Sequence, residues 1–142
     1  MGVKRGLLVA VLGEAIFSAI NPIGSGLAFP ILYGFQIISI GLAGLLGGLL
    51  GPPLIKSRSK LAQWIIFGLA GFFLTLIYDV LTGLSLPLST GMTEGTIWGS
   101  ITAGIVFFAT HLIANTLIFA SLGPGMLSLT ERQLRMHGFR DT

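Results

Sequence analysis

Cysteine is absent from this 142-residue chain, so neither a disulfide framework nor a thiolate metal site is available to it. Histidine occurs twice, too rarely for a stable transition-metal cage. Charge is scarce as well. Only 9% of residues are charged, whereas a soluble domain carries about a quarter. No His-Glu-x-x-His helix, phosphate-cradling glycine loop or serine elbow occurs, so the chemistries those motifs serve find no support. Nothing resembles a nucleic-acid signature. These absences lead to the expectation of a protein that is not an enzyme and carries no cofactor.

What is present is apolar: 53% of residues are hydrophobic and the mean hydropathy is +0.92. That places the chain in the membrane, all-α and within a single domain, because lipid can cover the apolar surface that a soluble protein would have to bury. Lys4 and Arg5 followed by an apolar run imitate a signal peptide. Glu14 interrupts that run, however, and Phe17 fits poorly at the small-residue position before a cut. The first segment is therefore expected to stay as a helix.

A membrane helix needs about 20 apolar residues. Four segments meet this: Gly6 to Ile23, Ile31 to Leu50, Leu61 to Gly83 and Ile97 to Leu122. Proline stops are expected at Pro52-Pro53 and at Gly123-Pro124-Gly125. The connections "NPIGSGLAFP" and Leu84 to Thr96 carry no Lys or Arg. All eight basic residues lie before the first segment, in "KSRSK" or after the fourth. The positive-inside rule then puts both termini and the middle loop in the cytoplasm. A split near Tyr33-Gly34 or Ser39-Gly41 would raise the count to five, and six can also be drawn, but an odd count puts one basic cluster on the wrong side. The expected organisation is one helical transmembrane domain over 1–127 and a basic cytoplasmic tail over 128–142. Ser128 and Glu131 offer a capping box for a short interfacial helix in that tail.

Ionisable groups inside a membrane cost about 2.5–3.5 kcal/mol each at a helix centre. Glu14, Asp79 and His111 are the three here, with Asn115 and Gln36 as uncharged companions. Counting along each helix puts Glu14 level with His111 and Asn115, and puts Asp79 near the external end, out of reach of His111. Gly68, Gly71, Thr75, Asp79 and Thr82 form one stripe on the third segment. Ser100, Gly104, His111 and Asn115 form another on the fourth. Stripes of this kind face other helices or a cavity, either as interhelical hydrogen-bonding groups or as a binding site. Asp79 at a helix end is equally able to cap a turn. Trp98 and Tyr33 read as interface anchors on one side and Trp64 on the other. Small-residue pairs (Ala15 and Ala19, Gly44 and Gly48, Gly47 and Gly51) permit close helix approach.

The segments "GLLGGLLGPPL", "LAGFFLTLIYDVLTGLSLPL" and "GIVFFATHLIANTLIFASLGP" resemble the substrate-binding S component of energy-coupling factor (ECF) transporters. The most specific parts are "TLIYDVLTG" and "HLIANTLIF". The resemblance implies a multi-pass protein of a prokaryotic cell membrane that captures a vitamin or similar micronutrient. It implies partnership with a membrane T component and two ATPase subunits, and a fold of six helices. On this reading Tyr78, Asp79, Thr82, Glu94, Trp98, His111 and Asn115 would bind the solute, while Ala15 and Ala19 would dock the T component. The metal-carrying members begin with a histidine that is missing here, which argues against a metal cargo. A weaker likeness links Asp79-Val80-Leu81-Thr82-Gly83 to the rod shape-determining membrane protein, a scaffold, and makes a membrane scaffold the alternative function. An intramembrane enzyme using Glu14 and His111 would need both groups around one cavity.

Overall fold

The structure is a computed structural model that describes residues 2–21, 26–56 and 59–136. Pro22 to Ser25, Arg58 and Arg140, used above to place connections and the tail, lie outside those residues. Five α-helices follow in order: α1 (Val3–Ile20), α2 (Pro30–Lys56), α3 (Lys60–Gly83), the short α4 (Ser85–Thr90) and α5 (Glu94–Met136), with a 3₁₀ turn at Gly26–Ala28. No strand occurs among the described residues. Three helical stretches, Pro30–Leu54, Lys60–Thr90 and Glu94–Gln133, are long and apolar enough to cross a membrane. α1, with Lys4, Arg5 and Glu14 in 18 residues, is shorter and more charged. At 1.5 Å per residue it reaches about 27 Å, just under the hydrocarbon thickness.

Burial runs opposite to that of a soluble protein. Among the described residues the buried apolar side chains are Leu54, Pro87 and Pro124, while Ser18, Ser39, Gln63, Thr75, Asp79 and Ser85 are all buried. Phenylalanine, leucine and isoleucine point outward along every long helix. The accessible surface is 9614 Å². A compact water-soluble monomer of 15.0 kDa exposes about 7,000 Å². The excess belongs to an open arrangement that lipid or partners must cover.

Packing comes in two pairs. α1 lies on α2, α3 lies on α5, and α2 joins the pairs through α3 with a lighter contact to α5. Among the described residues α1 reaches neither α3 nor α5. The α1–α2 contact is nearly backbone on backbone: a Cβ on Gly44 would sit 2.4 Å from the Gly6 carbonyl oxygen, and one on Gly48 2.6 Å from Val3 Cα. Gly47 and Gly51 have open space where a Cβ would be, so only the first of the two small-residue pairs on α2 packs against α1. On α3 the buried residues are Gln63, Gly68, Gly71, Thr75 and Asp79: the anticipated small and polar stripe without Thr82, which is half-buried, and with one added glutamine.

The helix ends correct several expectations. α2 is unbroken from Pro30 and passes through Pro52 and Pro53 to Lys56. It neither splits near Tyr33-Gly34 or Ser39-Gly41 nor stops at the prolines. Each proline forfeits one backbone bond, to the Gly48 and Leu49 carbonyls, but both lie in the final two turns, so little helix remains beyond them. Gln63 Nε2 donates to the Leu54 carbonyl at 3.1 Å to cap that end. Ser59 caps the start of α3, accepting from Ala62 N at 3.3 Å. The expected Leu84 to Thr96 loop contains α4, with Ser85 and Pro87 buried. Pro87 is tolerated there because first-turn amides have no helical partner to lose. A turn through Gly91 (φ +108°) leads into α5, where Thr93 and Thr96 cap reciprocally: each side-chain oxygen accepts from the other's backbone N–H.

α5 does not end at Gly123-Pro124-Gly125 but continues to Met136, across the expected boundary between residues 127 and 128. Pro124 is buried within the helix. At membrane depth, a break would strand more backbone groups than the one bond Pro124 removes. Ser128 consequently caps nothing. Its hydroxyl donates back to the Gly125 carbonyl at 2.7 Å.

Candidate functional site

α3 and α5 run antiparallel with their small residues in register. A Cβ on Gly68 would meet Ala120, on Gly71 it would meet Phe119 and Asn115, and on Gly83 it would meet Phe108. That register brings together the two groups judged too far apart in sequence. His111 Nδ1 lies 2.6 Å from Asp79 Oδ1. The depth estimate failed because it set Ile97 level with Gly83. In the structure α5 overhangs the end of α3 alongside α4 by about ten residues, or about 15 Å. Asp79 is therefore neither a turn cap nor a group at the mouth. Its side chain is 6% exposed and pairs with His111, which is 28% exposed.

An ionised carboxylate only accepts, so opposite an ionised Asp79 the proton of the pair belongs to His111 Nδ1, and Nε2 is the remaining polar atom of the ring. The imidazole is held on two further sides. Phe107 stacks on it at 5.2 Å with 28° between planes, and Tyr78 meets it edge-on at 5.9 Å. The Tyr78 hydroxyl accepts from Gln36 Nε2 of α2 at 3.3 Å, and Gln36 Oε1 is buried without a partner.

These groups border a cleft of about 280 Å³ between the two helix pairs, lined by Glu14, Ser39, Thr75, Tyr78, His111 and Asn115 together with apolar and aromatic side chains. Glu14 accepts from Ser18 at 3.0 Å, one turn along α1. Because α1 does not reach α5, Glu14 faces His111 and Asn115 across the opening rather than through a helix contact.

Of the residues expected to bind a solute, Tyr78, His111 and Asn115 line this cleft, and Asp79 supports it from behind through His111. Thr82, Glu94 and Trp98 are not part of its wall. The Thr82 hydroxyl donates to the Tyr78 carbonyl at 2.7 Å, while Glu94 opens α5 and Trp98 is exposed on its first turns. Thr75 belongs to the stripe expected to face helices or a cavity, though it was not named for solute binding, and Ser39 and Phe107 were not anticipated as wall residues. Ser39 could have been found as a small polar residue within an apolar run, whereas Phe107 carries no such signal. Ala15 is half-buried and Ala19 exposed on α1. Two larger cavities are almost wholly apolar: one of about 360 Å³ among α2, α3 and α5 beside Gly47, Gly51 and Gly123, and one of about 380 Å³ among α3, α4 and α5. No group of three His, Asp or Glu side chains able to hold a metal ion occurs among the described residues.

Comparison with protein-family models, with curated proteins and with solved structures finds no match for this chain.

Proposed function

We propose that this chain is a membrane-embedded substrate-capture subunit of the ECF type, taking a vitamin-like micronutrient from outside a prokaryotic cell membrane and relying on a T component and two ATPase subunits for energy. The observation that carries the reading is the polar cleft between α1 and α5. It gathers Glu14, Tyr78, His111 and Asn115 in a protein that otherwise turns apolar side chains outward. Intramembrane polar groups are costly, and a group of them around a cavity favours a site over simple helix glue. With the basic ends cytoplasmic, the cleft opens in the outer half of the bilayer, where a solute arriving from outside would enter. Ala19, exposed on α1, and the half-buried Ala15 one turn before it then offer the surface for the T component, and ligand release follows when docking moves α1 relative to α2.

The test is isolation from membranes in mild detergent with two readouts. Bound small molecules are identified by mass spectrometry, and association is measured with a co-expressed T component and its ATPases. The expected result is a stoichiometric solute together with a complex that dissociates when Ala15 and Ala19 are replaced by Leu. A ligand-free preparation that also fails to associate would instead favour a membrane scaffold.

A further inference from the structure

We infer that the ligand of the α1–α5 cleft is a small organic cation with N–H donors, of the protonated amine or amidine class, for which Glu14 is the counter-ion and His111 Nε2 an acceptor. The inference rests on the capture reading above and narrows its substrate. The first support is a charge count. Glu14 and Asp79 bring two carboxylates to the site and its support, and His111 offsets at most one. No lysine or arginine occurs from Gly6 to Ile55 or from Leu61 to Glu131, so the chain sends no other cation to this depth. The Asp79–His111 pair is self-contained at 2.6 Å, and what remains among the described residues is Glu14, whose Oε1 accepts from the Ser18 hydroxyl at 3.0 Å. An uncompensated carboxylate in a low-dielectric surround is stabilised by a positive ligand and repels a negative one.

The second support is the acceptor geometry. Asp79 occupies Nδ1, so His111 turns its other nitrogen away from the pair, and Glu14 keeps a second carboxylate oxygen beyond the one that Ser18 contacts. These acceptors suit a group with two or more N–H donors. The third is the wall. Tyr78, Phe107 and Phe119 surround the polar groups, and aromatic faces attract a cation. At about 280 Å³ the cleft lies near the lower end of ligand pockets and suits a single ring bearing one charged substituent. Among the described residues no three His, Asp or Glu side chains converge as a metal site, so the reading is made for an organic cation.

Three probes of one shape and different charge make the test: benzamidinium, benzamide and benzoate. They are titrated against the full chain in nanodiscs of zwitterionic lipid and followed by saturation-transfer NMR. Saturable binding of benzamidinium at least tenfold tighter than benzamide is expected, with no saturable benzoate signal. Glu14→Gln is expected to remove that preference and Glu14→Asp to keep it, with thermal melting of each variant confirming the fold. Equal or tighter binding of benzamide or benzoate overturns the inference and leaves capture standing, as does a preference that survives Glu14→Gln in a folded protein. Absence of saturable binding for all three probes also overturns it. The capture reading fails separately, when no solute co-purifies and no T component associates.

Discussion

The 2.6 Å contact between Asp79 and His111 is asymmetric in burial, 6% against 28%, and that asymmetry predicts unequal costs when either partner is removed. His111→Ala leaves the deeper group without its partner and is expected to cost about 3 kcal/mol, the lower end for breaking a buried pair. Asp79→Ala leaves a half-exposed imidazole that lipid-edge water can reach, and is expected to cost less. The double variant should fall short of the sum by about 1–3 kcal/mol, a coupling read from thermal unfolding of the four proteins in one detergent. Simple additivity would show that the contact does not hold the two helices together. A second residue-scale prediction concerns the tautomer. The ¹⁵N spectrum of His111 should report a protonated Nδ1, and Asp79→Asn should shift that signal while leaving the second histidine, His137, unchanged.

At the scale of helices, glycine marks where backbones meet and where they do not. Gly44→Ala should lower the melting temperature measurably, since the new methyl would collide with the Gly6 carbonyl, a backbone atom with no rotamer to change. Gly47→Ala, three residues on, meets open space and should be near neutral, with a slight gain from helix propensity. Equal effects at both positions would contradict the α1–α2 packing. The same contrast separates what the sequence could and could not disclose. The stripe of Gly68, Gly71, Thr75 and Asp79 was legible because three-to-four spacing is a local property of one helix. The Asp79–His111 contact was not, because the offset between two helices is set by their small residues in register and by the overhang of α5 beside α4. The proline stops misled for a related reason. A rule about one lost hydrogen bond yields when breaking the helix would strand several more in lipid, or when the proline already lies near a helix end.

At the scale of the whole molecule, α1 packs on a single long helix: it holds to α2 through a close glycine seam and leaves its other faces to lipid and to the cleft. Glu14 sits on that helix, so on the capture reading a shift of α1 would change the cleft while leaving the α3–α5 pair in place. Because the chain has no cysteine, single cysteines at the exposed Ile16 of α1 and Ile113 of α5 can carry a spin-label pair without background. Docking of the T component should broaden or shift their distance distribution, whereas an unchanged distribution would contradict release through α1. The most direct measurement is native mass spectrometry of the intact chain ejected from lipid nanodiscs, alongside a Glu14→Gln/Asn115→Leu variant that leaves the Asp79–His111 pair in place and retains its melting profile. The wild type should carry a discrete small-molecule mass that the variant lacks. A wild type without such a mass, or a variant that keeps it, would contradict a capture site in the α1–α5 cleft.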